Sequence, residues 1–193
     1  SGTVGIGYQA LTALTSGAKN TAVGFESGKS TSDGSNNTYV GYEAGQGASG
    51  TENNNTGLGK QSLFAVTTAE SNVAVGTNTL DELTTGGYNT AIGANALHAL
   101  DGGETENVAV GYNAGSNADG ATNNVCIGSN ALLSTGAGTN QIVIGKDTTG
   151  VANNSVSLGN ANVTDVYMST TTAPAKVHAS AIDINQDANA VAI

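Results

Sequence analysis

The chain has no tryptophan and no arginine, and it contains a single cysteine, a single proline and a single methionine. Aromatic residues make up only 4% of its 193 residues, although hydrophobic residues of all kinds make up 38%. These side chains supply too little bulk for a thick globular core, and they suit a thin rod in which each layer buries a few aliphatic groups. A strict register of apolar positions along the chain argues against disorder.

Positive charge is scarce as well. Lysine is the only basic side chain besides histidine, and the formal net charge is −10. This balance repels nucleic acid and anionic lipid, and no basic cluster offsets it. We find neither an apolar stretch of membrane-spanning length nor an amino-terminal signal region. The chain begins in the middle of a repeat, so we expect it to be a segment of a longer or processed protein.

The abundant feature is a glycine that recurs every 17 or 18 residues over most of the chain. The recurring glycines are Gly7, Gly24, Gly41, Gly59, Gly76, Gly93, Gly111, Gly128, Gly145 and Gly159. Each closes a short phrase such as Asn72-Val-Ala-Val-Gly76. A short period held this long indicates a solenoid in which each unit is one coil stacked on the last. The sequence predicts an all-β solenoid of about ten coils, each of 17–18 residues.

Alternation within the phrase predicts which side chains face the interior. The second and fourth positions hold β-branched or aliphatic residues, which favour strands, and they share one strand face. We expect that face to point into the coil, and the mostly small third position to point outward, where another backbone could approach closely. The predicted trimer-contact face is therefore formed by Ala22, Ala74, Ala91, Ala109 and Cys126. Cys126 has no partner for an intrachain disulfide and is expected to be an unreactive small residue.

The remaining positions predict turns and loops. The asparagine that opens each phrase could form a hydrogen-bonded ladder along the rod or adopt a left-handed backbone. After the glycine, some coils carry leucine and a second aliphatic residue three positions later, as in Leu63 and Val66, a spacing that favours a single helical turn. Other coils replace that leucine by glycine, at Gly28, Gly45 and Gly115, and continue into polar loops. We divide the chain into a repeat solenoid, residues 1–160, and a non-repeat strand or neck segment, residues 161–193.

Residues with catalytic or metal-binding potential are sparse. The two histidines, His98 and His178, lie in different regions, and no His–Cys spacing suits zinc. No positioned nucleophile–base pair or phosphate-binding loop is recognisable. We therefore predict no catalytic, cofactor-binding or metal-binding residues and no enzymatic activity. The acidic segment 101–107 is expected to be a solubilising loop, and calcium binding there remains the open alternative.

Aromatic residues follow the glycine on three consecutive coils, at Tyr8, Phe25 and Tyr42. Stacked coils should bring them into one surface column. Aromatic faces bind sugars and also cover apolar ground, so this column is either a glycan-facing site or a structural ladder that protects the turn. Glu26 and Glu43 lie beside it in the sequence.

These repeats resemble those of two known families. Asn72-Val-Ala-Val-Gly76 and Asn107-Val-Ala-Val-Gly111 resemble the YadA-like head repeat of trimeric autotransporter adhesins. The segments Gly5–Leu11 and Asn89–Leu97 are similar to bacteriophage tail fibre shafts, and residues 159–167 and 175–179 look like the end of such fibres. The resemblance implies a parallel homotrimer of left-handed β-rolls, on a virion or an extracellular cell surface, that contacts host-surface glycan or protein.

We expect a structural and adhesive segment of a phage tail fibre that takes part in host attachment. A bacterial trimeric cell-surface adhesin head is the alternative, and an ice-binding solenoid is a different class. Threonine columns on a flat face are typical of ice binding, but valine and isoleucine share this column, which favours an interior position and speaks against that class.

Overall fold

A computed structural model describes residues 2–47 and 50–164. Within these ranges the chain forms ten short β-strands and no helix. The strands are β1 Val4–Ile6, β2 Thr21–Val23, β3 Thr38–Val40, β4 Thr56–Leu58, β5 Val73–Val75, β6 Thr90–Ile92, β7 Val108–Val110, β8 Val125–Ile127, β9 Gln141–Ile144 and β10 Ser155–Leu158.

All ten strands form one parallel sheet in chain order, so each strand pairs with those of the preceding and following coils. The pairing is in register, with Val73 opposite Thr90 and Ala74 opposite Ala91. A thinner ladder of single bridges runs along the loop side, through positions such as Asn53, Glu70 and Gly87. The predicted all-β solenoid with 17–18-residue coils is confirmed.

Contacts divide the chain into a unit of residues Ser1–Asn162 and a second unit of residues Val163–Ile193. The first unit is the solenoid. The non-repeat segment predicted over residues 161–193, with its alternating strands, its proline linker and His178, lies outside the described residues after Thr164.

The structure reverses the predicted orientation of the strands. The third positions point inward, so Ala22, Ala74, Ala91 and Ala109 are 0% exposed and Cys126 is 1% exposed. The second and fourth positions point outward. The strand period of two predicts that these sets lie on opposite faces, but it does not say which face is inside.

The leucine column on the other side of each coil explains the inversion. Leu63, Leu80 and Leu97 are buried in the same cluster as the third-position alanines. A Cβ at Gly115 would lie 2.7 Å from the Leu97 side chain and 3.6 Å from the Ala109 Cβ, so the leucine and third-position columns meet inside the coil. Because leucine fills the narrow interior, the opposing strand position must be small.

In the leucine-containing coils, where a single helical turn was predicted, the backbone alternates into the left-handed region. Gln61 and Leu63 both have φ near +53°. Such a backbone is unfavourable for these residue types. It points alternate N–H groups to neighbouring coils: the Gln61 N–H donates to the Tyr42 carbonyl at 2.8 Å and the Leu63 N–H to the Thr79 carbonyl at 3.0 Å. The Ser62 N–H between them donates to the Gly59 carbonyl of its own coil at 3.4 Å, so bonds between coils alternate with turn bonds within a coil.

Tyr39 explains why two coils lack the leucine. It is the one aromatic residue in the inward column and is fully buried. A Cβ at Gly45 would lie 2.4 Å from the Tyr39 ring, and one at Gly28 would lie 3.3 Å from it. The tyrosine ring therefore occupies space that leucine fills in other coils.

A ladder of buried asparagines joins the coils, as the sequence allowed. The Asn72 N–H donates to the Asn55 Oδ1 at 3.0 Å, and the Asn72 Nδ2 donates to the Gly86 carbonyl at 3.0 Å. The same pair of bonds recurs from coil to coil. At Gln141 the backbone bond persists, but the longer amide turns to Ser134. The ladder satisfies polar groups that burial would otherwise penalise.

The orientation of the strands is testable with two adjacent residues of β6. Ala91→Asp would place an unpaired carboxylate in a fully buried position, which costs several kcal/mol, so we expect loss of the cooperative thermal transition. Ile92→Thr alters an outward residue that is 41% exposed, and it should retain the transition and the β-type circular dichroism. A folded Ala91→Asp protein would contradict the assigned interior.

Close stacking of the recurring glycines yields a second prediction. Gly93 has φ +133°, and a Cβ there would lie 2.4 Å from the Gly111 carbonyl oxygen. We expect Gly93→Ala to lower the free energy of unfolding by on the order of 3 kcal/mol or more, since strain and a backbone clash add. At Gly103 the nearest atom to a Cβ is the Thr85 hydroxyl at 3.8 Å. Gly103→Ala is the matched control, and equal denaturant midpoints for the two variants would contradict the stacking argument.

Candidate interaction surface

The second and fourth strand positions together make one face of the sheet, which we call the outer face. Its members are Val4 and Ile6, Thr21 and Val23, Thr38 and Val40, Thr56 and Leu58, Val73 and Val75, Thr90 and Ile92, Val108 and Val110, Val125 and Ile127, Ile142 and Ile144, and Val156 and Leu158. Four are threonine, the others are valine, isoleucine or leucine, and none carries a charge. All are exposed or half-buried.

The outer face forms a narrow apolar strip. Nine strand spacings of about 4.8 Å give it a length of about 43 Å, and the two columns lie about 7 Å apart along each strand. Contiguous apolar patches of several hundred Å² are uncommon on monomeric soluble proteins and mark interaction sites. The strip carries its apolar groups outward over the length of the sheet, because the narrow coils bury only the third-position column.

The predicted trimer-contact residues lie elsewhere. Ala22, Ala74, Ala91, Ala109 and Cys126 are enclosed within their own chain, so they cannot touch a second copy. Burial raises the pKa of the Cys126 thiol to about 12. The small third-position residues do share one strand face, as predicted, but that face packs against the leucine column inside the chain.

The aromatic column predicted from the sequence is present. The rings of Tyr8 and Phe25 stack with centroids 5.2 Å apart, and those of Phe25 and Tyr42 with centroids 5.3 Å apart. Both faces of the Phe25 ring are therefore occupied by its neighbours. All three rings remain partly exposed, so the ring edges and the face of Tyr42 toward the next coil are the parts that a ligand could contact. Glycan binding stays a prediction.

Polar groups line this column. The Gln61 Nε2 donates to the Glu43 carboxylate at 2.8 Å. The Lys29 ammonium lies 3.0 Å from the Glu26 carboxylate. Glu43 beside the phenol raises the pKa of Tyr42 through a hydrogen bond. The surroundings of Tyr42 thus combine an aromatic ring with acceptors and an amide donor, which are the groups that hold sugars.

His98 takes part in a surface pair. Its Nδ1 lies 2.8 Å from the Asp81 carboxylate, and its Nε2 lies 3.8 Å from Glu82. The hydrogen bond to Asp81 raises the pKa of His98. The added stability is therefore present at low pH and disappears as the pH rises through the folded-state pKa. An exposed pair of this kind contributes little to stability.

The acidic loop segment brings three carboxylates together from adjacent coils. Carboxylate oxygens of Asp101, Glu104 and Asp119 lie within 4.8 Å of one another. Glu104 is buried and its two oxygens accept N–H bonds from Gly102 and Gly120, at 2.9 and 3.1 Å. Backbone amides therefore already satisfy the buried member, and calcium binding remains an untested alternative. The sequence placed Asp101 and Asp119 in separate loops, and only the stacking of coils shows that they meet.

No protein-family model, curated protein or solved structure matches this chain. Among the residues that the structure describes, there is no helix that could cross a membrane.

Proposed function

We propose that this chain is a structural and adhesive fibre segment that assembles as a parallel homotrimer through the outer face. The observation that carries the proposal is the uncharged apolar strip along the ten-stranded sheet. Ile92, Ile127 and Ile144 expose more than a third of their surface in the single chain. Covering such side chains contributes about 25 cal/mol per Å² of apolar surface.

The pattern of the strip favours copies of the same chain in parallel. Threonine occurs on β2, β3, β4 and β6, whereas the remaining strands present only aliphatic residues. In a parallel, in-register assembly each threonine layer meets threonine, so the hydroxyls can bond to one another, and each aliphatic layer meets aliphatic residues. An antiparallel arrangement would place several hydroxyls against aliphatic layers.

The repeated outer strip also supports an assembly of three copies. A narrow strip on a straight rod can be covered from both sides when three rods surround a common axis, and closed cyclic assemblies of this kind are common. The resemblance of the Asn72–Gly76 phrase to adhesin heads, and of the Asn89–Leu97 segment to phage fibre shafts, supports the same arrangement and a place on a virion or cell surface. A bacterial trimeric adhesin head remains the alternative to a phage fibre.

Ice binding is a second candidate function, and one structural observation removes the objection that the sequence raised against it. The column that contains Thr21, Thr38, Thr56 and Thr90 faces outward rather than inward. The reason for rejecting an ice-binding face, its expected interior position, therefore does not hold. The same strip cannot serve both functions, because a trimer interface would cover it.

Molar mass in solution tests the assembly. We expect light scattering after gel filtration to give three times the 18.9 kDa of the chain. Ile127→Asp places a charge on the outer face without entering the core, and it should yield a smaller species at equal concentration. Ser129→Asp, two residues later and off the sheet, is the matched control and should leave the mass unchanged.

A folded monomer would overturn the fibre proposal. Thermal hysteresis measured on that monomer would then decide whether the outer face binds ice. A trimer that Ile127→Asp does not weaken would place the interface elsewhere.

Adhesion is tested separately at the aromatic column. We expect Tyr42→Ala to weaken binding to a glycan array about tenfold, the effect of losing roughly 1.4 kcal/mol of aromatic contact. Tyr112→Ala is the control, because Tyr112 follows the glycine in the same way and is exposed but has no stacked ring. Both variants should melt at similar temperatures. Glycan binding that is unchanged in Tyr42→Ala would leave the column with a structural role only.

A further inference from the structure

Two buried carboxyl groups occupy equivalent places in the solenoid. Glu52 is 2% exposed and Glu104 is 6% exposed. Each stands three residues before the ladder asparagine of its coil, and its backbone carbonyl accepts the Nδ2 of the preceding ladder asparagine, Asn37 or Asn89, at 2.8 and 2.9 Å. The other positions of this inward column hold small uncharged residues: Gly34, Ala69, Gly86, Ala121 and Gly138.

The two carboxyl groups differ in their partners. Both oxygens of Glu104 accept backbone N–H groups, from Gly102 and Gly120. At Glu52 one oxygen accepts the Thr31 hydroxyl, and Oε2 is buried without a hydrogen-bond partner. An unpaired buried carboxylate is costly, whereas a protonated carboxyl loses much less on leaving water.

Among the described residues, none with a positive charge forms an ion pair with Glu52. The groups that face it are the Thr31 hydroxyl, the Tyr39 phenol, and the Gly34 and Asn37 positions of the preceding coil. The Asn37 amide is committed to the backbone carbonyl. In the part of the chain that the structure describes, the ion pairs involve Lys29, Lys146 and His98. None reaches Glu52.

Tyr39 makes ionisation still less favourable. Its hydroxyl is fully buried, with the Asn55 side chain as a polar neighbour, and makes no hydrogen bond of good geometry within the described residues. Burial, and then the neighbouring Glu52, raise the pKa of Tyr39 well above its ordinary value, so the phenol stays neutral and supplies no charge. Burial likewise raises the pKa of Glu52.

We propose that Glu52 makes the junction between the third and fourth coils a proton-dependent joint, held most firmly when the carboxyl is protonated and weakened when it ionises. The direction of the pH dependence follows from comparing the folded and the unfolded state. Below the pKa of an exposed glutamate both the folded and the unfolded chain carry the proton. As the pH rises above that value the unfolded chain releases its proton first, so the contribution of Glu52 to stability falls with rising pH until the folded group also ionises.

Glutamine substitutions test this inference with a matched pair. Glu52→Gln removes the charge and keeps the shape, so we expect it to raise the melting temperature at pH 8 by about 2–4 °C and to change it little at pH 4. Glu104→Gln replaces an oxygen that accepts an N–H by an amide donor, and it should lower the melting temperature at pH 8. All proteins are compared at one concentration, because assembly also affects melting.

Infrared difference spectroscopy provides a direct readout. At pH 5.5 an exposed glutamate is largely ionised, since its pKa is about 4.3. The wild type should show one protonated carboxyl band that Glu52→Gln lacks, and Glu104→Gln should retain it. Glu52→Ala, which copies the small residue at Ala69, serves as a second variant if the glutamine protein folds poorly.

Absence of that band at pH 5.5, or a melting difference between wild type and Glu52→Gln that is the same at pH 4 and pH 8, would overturn the inference. The infrared band reports the protonation of Glu52 itself and requires neither trimer formation nor glycan binding. The joint is therefore tested independently of the proposed function.

Discussion

The stacking of one backbone coil directly on the next is the constraint on which the rest of the structure depends. It is tightest along the recurring glycines, where φ lies between 130° and 143° from Gly7 to Gly128. A Cβ at any of these positions would come within 2.2–2.7 Å of the next coil's glycine carbonyl group. Only glycine permits that approach. Glycine therefore recurs once per coil in the sequence, at the position where the backbones of successive coils touch.

Close stacking also decides what the interior can contain. In the leucine-containing coils, that side chain nearly fills a narrow space, so the strand facing it supplies a small residue such as Ala74 or Ala91. Where the strand supplies Tyr39 instead, Gly28 and Gly45 make room. Most buried polar groups are hydrogen-bonded in ladders. In one ladder, Asn55, Asn72 and Asn89 are linked by hydrogen bonds from coil to coil. Glu52 and Tyr39 are not satisfied in this way, because the Glu52 Oε2 and the Tyr39 hydroxyl are buried without a hydrogen bond within the described residues.

The narrow interior has a consequence for assembly. Except at Tyr39 and Val143, the inward strand positions hold small residues. Most of the larger β-branched residues of the strands therefore lie outside and give the outer face its apolar character. Under the proposed assembly, self-association along the strip would cover these apolar side chains, whose extent is unusual for a free surface.

Much of the fold was predictable from the sequence, for a physical reason. A glycine every 17 or 18 residues, with β-branched residues before it, specifies coils, strands and their register, because stacking repeats one local solution many times. The asparagine ladder and the aromatic stack of Tyr8, Phe25 and Tyr42 were foreseeable on the same grounds, since identical positions in successive coils must lie above one another.

Which strand face lies inside was decided only by tertiary structure. Alternation separates Ala91 from Thr90 and Ile92 but is symmetric between inside and outside, and hydrophobicity alone favoured the wrong face. The interior volume that remains beside Leu97 and the equivalent leucines suits the small third-position residues, and this determines which strand face lies inside. The left-handed turns, the meeting of Asp101 with Asp119, and the lack of a partner for one Glu52 oxygen likewise depend on how coils contact one another. The sequence by itself determined the repeat, the strands and their register, and the packing of side chains in a narrow interior determined which strand residues lie inside and which face outward.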